Sequence, residues 1–313
     1  MSLSKKAVLF NVTFSLPSGT KVDKKESSKV ATNHLVPGGR RSAGSYQKII
    51  IDPSLFKEVK KLKRNVEGYF NVISIAYAHD KMPVIVPNGK ILEATSFIRE
   101  HKRLFDNEIS AIKSAYDAKK EEAKTRLMTL YNEDDYLDHE DFIARFSFDY
   151  WMRPIPELDS MDLRWTVSRE EERLMKESMQ KEMEENLGDS MGQALRMMSD
   201  HIKHMKDVVS KDSPRIHDSM IEKIHEIAES MPGIVGLSHD PNSKMSQTIQ
   251  DICLDLRQIQ ADDLRGSDLW NADNRDVVAD GPWETTHRAG VADQSTEMIN
   301  KLENLYHGCE AQD

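Results

Sequence analysis

Two stretches of the chain carry the residue types that bind metal ions in proteins. Glu222, His225 and Glu226 follow at steps of three and one, which places them on one face of a helix. Carboxylate-bridged di-iron bundles use a Glu-x-x-His pair of this kind, together with further inward-facing carboxylates. His201 and His204 lie earlier in the chain, flanked by lysines that would repel a divalent cation. We therefore expect neither a metal site nor a resident cofactor.

Residues typical of phosphate and nucleophile chemistry are also present in part. The segment from Val36 to Ser42 combines glycines with cations but lacks the Gly-Lys-Ser/Thr ending of phosphate-binding loops. His287 and Cys309 are close in sequence, which does not by itself give a catalytic arrangement. We expect the chain to have no enzymatic activity of its own.

Charge is distributed unevenly along the chain, whose net charge is −10. Residues 1–64 hold 14 Lys and Arg against 4 Asp and Glu, and the remaining residues hold 29 against 49. The candidate anion-binding residues are Arg40, Arg41, Lys60, Lys61, Lys63 and Arg64. Two partners stay open for them, namely nucleic-acid phosphates and the acidic body of a neighbouring subunit. We favour the neighbouring subunit, because both charges already occur in one chain.

A long helix predicted from Ser168 to Val209 is the element around which the other elements pack. Its apolar residues recur at steps of three and four and form one stripe. A helix of that length, roughly 60 Å, needs partner helices along the stripe. Gly188 and Gly192 leave a break or kink open, but the stripe keeps its phase across them and favours a continuous helix.

The Met-rich stripe has three possible uses, namely a core seam, a self-association seam or a membrane-contacting face. Met adapts to irregular gaps and to surfaces that repack against partners. The candidate self-association residues are Met183, Leu187, Met191, Leu195 and Met198.

Similar stripes predict the partner helices. One helix begins at Asp52-Pro53 and a longer one runs from Ile91 to Tyr131. Beyond the long central helix, shorter helices are expected from Ser213 to a stop at Pro232-Gly233, from Met245 to Gly266, and from Val291 to Leu305.

Alternating residues predict two strands, Val8–Leu16 and Phe146–Met152, which we expect to pair with each other. The polar, basic segment from Lys21 to Lys48 is predicted to be a loop, and Ser267 to Gly290 an irregular connection.

These elements predict a mainly α fold, in which long antiparallel helices form a coiled-coil-like stalk with a small two-stranded β element and a C-terminal helical part. The expected divisions are an N-terminal strand and basic loop at 1–51, the stalk at 52–210 with its β element near 142–153, and the C-terminal part at 211–313. No stretch is long and apolar enough to span a membrane, and two cysteines offer no disulfide framework. We expect a cytoplasmic protein.

The order of parts between Asp52 and Pro156 resembles a known family. The matching parts are a short strand before Asp52-Pro53, a helix with Lys63-Arg64, a Pro-Asn-Gly entry, a long helix through Phe105, Tyr116 and Ala123, and the aromatic stretch Phe146-Ser147-Phe148 ending at Arg153-Pro154. The family comprises uncharacterised proteins of phages and integrative elements. Their genes lie beside those of MoxR-type AAA+ ATPases and CobT-like von Willebrand factor A proteins. The resemblance implies a phage or mobile-element origin and a AAA+ partner, and it implies no catalytic residues.

Three functions remain in view from the sequence. We prefer a non-enzymatic structural or adaptor protein that forms homo-oligomers through its helices and acts with a AAA+ ATPase. The alternatives are a nucleic-acid-associated accessory factor that uses the basic N-terminal segment, and a helical protein that inserts amphipathic hairpins into membranes.

Overall fold

The computed structural model describes residues 3–38, 40–77, 82–156, 169–211, 216–265 and 282–310. Its strands are β1 Ala7–Ser15, β2 Thr20–Asp23, β3 Tyr46–Ile49, β4 Ile75–Ala76, β5 Val84–Pro87 and β6 Ser147–Pro154. Its helices are α1 Lys24–Asn33, α2 Arg40–Ala43, α3 Lys57–Ile73, α4 Ile91–Leu127, α5 His139–Ile143, α6 Arg169–Val209, α7 Asp218–Ser238, α8 Lys244–Gln258, α9 Ala261–Arg265 and α10 Pro282–Glu310. The chain is mostly helical with a small antiparallel sheet, which confirms the predicted class.

The chain forms two compact units. The first comprises Met1–Asn11, Tyr69–Ala94 and Trp151–Asp313, and the second comprises Val12–Gly68 and Thr95–Tyr150. Their boundary runs through β1, α3, α4 and β6, so the units cut across the three consecutive parts expected from the sequence.

The first unit is built on the C-terminal half of α6. This half packs on α10 and α7, and α7 packs on α8 and β5. Met198, Ile202 and Met205 are buried completely or almost completely. The helix is continuous across its two glycines, as the phase of its stripe predicts.

The predicted stop at Pro232 is wrong, because α7 continues through this residue to Ser238. A proline inside a helix cannot donate to the carbonyl four residues earlier. That carbonyl belongs to Ala228, and the Arg257 guanidinium on α8 donates to it over 2.8 Å. The side chain from the neighbouring helix therefore supplies the hydrogen bond that Pro232 cannot make.

Replacing Arg257 by Ala is expected to lower the free energy of unfolding by about 1–3 kcal/mol, because it leaves a carbonyl inside the helix packing without a donor. Urea unfolding followed by circular dichroism measures the change. Lys244→Ala, an exposed cation on the same helix, is the control and should stay within about 0.5 kcal/mol of the wild type. Equal stability of the two variants would contradict the role given to Arg257.

The larger sheet has the strand order β4-β5-β1-β6. Ala7–Phe10 of β1 pair antiparallel with Val84–Pro87 of β5. The prediction that the two alternating stretches are neighbours is confirmed, since β1 lies beside β6. The sheet is larger than expected because β5 and β4, which are short and were not predicted as paired strands, extend it on the other side.

Aromatic side chains fill the second unit. Phe14 stacks on Phe148 with ring centroids 4.2 Å apart, and Tyr116 of α4 stacks on Phe142 of α5 at 4.1 Å. The Tyr116 hydroxyl donates to the Leu137 carbonyl over 2.8 Å. The long helix α4 is thereby fixed to the chain that leads into β6.

The loop predicted between Lys21 and Lys48 is wrong, because β2, α1, α2 and β3 occupy this segment. Asp23 caps α1 by accepting from the backbone N–H groups of Lys25 and Glu26, both over 3.0 Å. The Ser27 hydroxyl accepts from the Tyr46 N–H over 2.8 Å. These polar contacts order a segment that has no apolar periodicity. In the irregular connection expected at Ser267–Gly290, the structure describes the part from 282 onward, which is helical, and 266–281 lie outside the described residues.

Candidate functional site

The self-association residues predicted on α6 fall into two groups. Met191, Leu195 and Met198 are buried within the chain, in the half of α6 that packs on α7 and α10. Met183 and Leu187 are half-buried. The first group therefore belongs to the core, and only the second lies close to a surface that another molecule can reach.

The apolar residues at steps of three and four continue into the N-terminal half of α6, where they become exposed to solvent. Leu174, Met175 and Met179 have relative exposures of 51%, 44% and 37%. Large apolar side chains clustered at this exposure are typical of interaction surfaces. We call residues 170–189 the exposed half of α6.

Carboxylates dominate the exposed half of α6. They are Glu170, Glu171, Glu172, Glu177, Glu182, Glu184, Glu185 and Asp189, against the cations Arg173, Lys176 and Lys181. Arg173 binds Glu170 and Glu177, each over 2.6 Å. These pairs along one helix support its folding, but the segment keeps an excess of negative charge.

Three of the predicted cations come together on α3. Lys60, Lys61 and Arg64 lie with Lys57 at positions i, i+3, i+4 and i+7, which form one face of a helix, and all four are exposed. Sequence reasoning missed Lys57, although the spacing was there to identify it. We call these four residues the basic face of α3.

The other predicted cations lie elsewhere. Lys63 is on a different side of α3, with its ammonium 3.8 Å from the Glu67 carboxylate. Arg41 is exposed on α2, and the side chain of Arg40 lies outside the described residues.

A buried ion cluster in the second unit was also missed. Lys48 on β3 is 5% exposed; its ammonium bonds to Asp135, lies 3.4 Å from Asp23 and donates to the Leu130 carbonyl over 2.9 Å. Lys21 lies 3.0 Å from Asp135 on the other side. No sequence pattern predicts this cluster, because Lys48 lies at the end of the segment that was predicted to be a loop.

The pKa values of the cluster follow from these contacts. Burial acts to lower the pKa of Lys48, but the hydrogen bonds and charges of Asp135 and Asp23 outweigh it and raise the pKa. The pKa of Asp135 is lowered because Lys48 and Lys21 outweigh its burial. The pKa of Asp23 is lowered first by the Glu26 N–H. All three groups are charged at neutral pH, and the cluster joins β2 and β3 to the 130–135 turn.

One of the candidate metal ligands, His225, has another partner in the structure. The His225 Nε2 atom lies 2.9 Å from the Ile259 carbonyl oxygen, so this nitrogen carries the proton and donates. Sequence reasoning missed a second Glu-x-x-His pair, Glu284 and His287, whose side chains lie outside the described residues. Within the described ranges, no group of three or more His, Cys, Asp or Glu is placed to hold a metal ion.

Ser190 lies in a sequence that has the Gly-x-Ser-x-Gly pattern of a catalytic nucleophile, which was missed at the sequence level. Gly188-Asp189-Ser190-Met191-Gly192 has the pattern Gly-x-Ser-x-Gly. A nucleophile elbow needs a sharp strand-to-helix turn, whereas these residues lie inside the continuous helix α6. The buried Ser190 hydroxyl donates to the Ala76 carbonyl over 3.0 Å. Its role here is to join α6 to β4.

Among the residues that the structure describes, no helix is both long and apolar enough to cross a membrane. No family model, curated protein or solved structure matches the chain.

Proposed function

We propose that this chain is a non-enzymatic structural or adaptor protein that assembles with copies of itself through α6. The observation that supports the proposal is the exposure of Leu174, Met175 and Met179 on a helix whose apolar residues are buried from Met191 onward. Covering apolar surface is favourable by roughly 25 cal/mol per Å². A second copy that covers these side chains would gain this free energy.

The continuity of the stripe supports this use. The run of apolar residues at steps of three and four continues without a break from the exposed half of α6 into the core half that begins at Met191, so the exposed half repeats a spacing already suited to helix packing. Met side chains adapt their shape to a partner at small cost. An isolated exposed Met or Leu would need no explanation, but three within six residues do.

The finer architecture and the partner are part of the same proposal. The helices α4 and α6 have 37 and 41 residues, which is long enough for each to take part in the coiled-coil-like packing that the sequence predicts. The resemblance of Asp52–Pro156 to the phage and integrative-element family supports work beside a MoxR-type AAA+ ATPase. The assignment of a AAA+ ATPase as partner is an analogy with that family.

Charged side chains at the centre of the exposed stripe should prevent assembly. The double variant Met175→Glu, Met179→Glu is expected to reduce the mass measured by light scattering to that of one chain, 35.8 kDa. Its helicity should stay near the wild-type value, because both positions face solvent in the single chain. Met128→Glu, at a Met that is also exposed, is the matched control and should leave the mass unchanged.

A double variant that assembles like the wild type would contradict the use of this stripe. A wild-type protein that is monomeric at tens of micromolar would contradict self-assembly altogether.

A nucleic-acid accessory role is the second candidate, and the basic face of α3 favours it. Four exposed cations on two turns of one helix are a typical phosphate-binding arrangement. Binding to duplex DNA would then weaken with salt at a slope of about −0.9 per phosphate neutralised.

A further inference from the structure

Among the residues that the structure describes, the basic face of α3 has one ion pair. It joins Lys61 to Glu58, with a carboxylate oxygen 4.0 Å from the ammonium. Lys60 lies over the Phe56 ring at 5.7 Å. Within the described part of the chain, Lys57 and Arg64 make no ion pair. Four positive charges therefore point into solvent together.

This arrangement works against the helix that carries it. Like charges at i, i+3 and i+4 of a helix repel each other. A residue choice that disfavours the local fold without a gain elsewhere indicates a functional surface. The positive charge of the basic face of α3 therefore predicts an anionic partner.

The exposed half of α6 has the properties that such a partner needs. It holds eight carboxylates against three cations and is exposed in the single chain. Glu171, Met175 and Glu182 lie on one face of the helix, at steps of four and seven. Carboxylates thus stand beside exposed apolar side chains on the same surface.

The two surfaces also match in their apolar parts and their lengths. The aliphatic stems of Lys and Arg cover apolar groups while the charged ends stay in water. The basic face spans seven residue steps, roughly 10 Å along the helix axis, and Leu174–Met179 spans about 7.5 Å. Lysine stems can pack on the Met side chains while the ammonium groups reach the flanking carboxylates.

The charge of the two units agrees with this pairing. The unit that contains the basic face has 21 Lys and Arg against 18 Asp and Glu, a balance of +3. The unit that contains α6 has 22 against 35, a balance of −13. Opposite units of two copies attract each other, whereas the excess negative charge opposes the approach of DNA within the screening length of about 10 Å.

We propose that the basic face of α3 binds the exposed half of α6 of a second copy. The proposal rests on self-assembly and names the two surfaces that meet. Because the surfaces are different, the contact is head-to-tail, and each added copy offers the same two surfaces again. Such contacts form rings when the rotation closes and open filaments when it does not.

A mixing experiment tests the pairing. The first variant, Lys60→Glu with Arg64→Glu, removes the basic face. The second, Glu171→Lys with Glu182→Lys, reverses charge on the exposed half of α6. Each alone should be monomeric by light scattering at a salt concentration where the wild type assembles. Each variant keeps the surface that the other has lost, so an equimolar mixture should give a dimer of twice the 35.8 kDa chain mass.

The control is Lys24→Glu with Lys25→Glu, at two exposed cations of α1, which should assemble like the wild type. Circular dichroism checks that each variant is folded.

Each other outcome overturns the inference in a distinguishable way. If the first variant assembles like the wild type, or the mixture stays monomeric, the surfaces do not meet. If the first variant keeps its assembly but loses affinity for a short DNA duplex, the basic face belongs to nucleic acid. If the wild type itself is monomeric, self-assembly fails, and this inference fails with it.

Discussion

Replacing Lys48 by Met is expected to lower the free energy of unfolding by about 3 kcal/mol. The substitution leaves Asp23 and Asp135 without the buried cation that they share, and the Leu130 carbonyl without a donor. The value lies at the lower end of the range for an unpaired buried charge because Lys21 remains beside Asp135. Urea unfolding followed by circular dichroism measures the change.

Lys24→Met is the control, because Lys24 is exposed and lies next to the cluster in sequence. Its effect should stay within about 0.5 kcal/mol. A Lys48→Met protein as stable as the Lys24→Met protein would show that the cluster contributes nothing to folding.

The cluster also gives the stability a pH dependence with a definite sign. The pKa values of Asp23 and Asp135 are lowered from 3.8 in the folded chain. Their contribution is therefore present above that pH and is lost as the pH falls through the lower folded values. The pKa of Lys48 is raised from 10.5, so its contribution is complete below that pH and is lost as the pH rises further. Lys48→Met should therefore weaken the dependence of the free energy of unfolding on pH at both the acidic and the alkaline end.

Met198→Ala is expected to cost about 2–5 kcal/mol, because it opens a cavity where α6 packs in the first unit. Met179→Ala, on the same stripe but 37% exposed, should change the stability of the single chain by less than about 0.5 kcal/mol. Comparing the two variants distinguishes the apolar residues of α6 that stabilise the folded chain from those that are exposed and can bind a partner. Urea unfolding at a protein concentration below the assembly threshold makes the comparison.

Similar costs for the two variants would contradict the division of α6 into a core half and an exposed half. In that case the exposed Met residues would have to be covered within the single chain.

The long helices could be predicted from sequence because their apolar stripes extend over many turns. α4 begins at Ile91 and α6 ends at Val209, as their stripes indicate. The phase of the stripe across Gly188 and Gly192 correctly indicated one helix. What periodicity could not give is the depth of burial, since Met179 and Met198 belong to the same run of apolar residues, yet Met179 is 37% exposed and Met198 is buried.

The errors arose where a distant side chain decides the local structure. Pro232 normally ends a helix, and here Arg257, which is 25 positions later in the sequence, supplies the missing hydrogen bond. Lys48 is a polar residue in a polar segment, and its burial depends on Asp135 far along the chain. Lys60, Lys61 and Arg64 were proposed from the basic charge of the N-terminal segment, and the helical spacing that adds Lys57 and leaves out Lys63 was not used.

Light scattering of the wild-type protein across a salt series shows whether the chain assembles through opposite charges. We expect a mass above the 35.8 kDa of one chain at low salt, and a decrease toward that mass as salt screens the contact between opposite charges. A mass of one chain at every salt and protein concentration would contradict it.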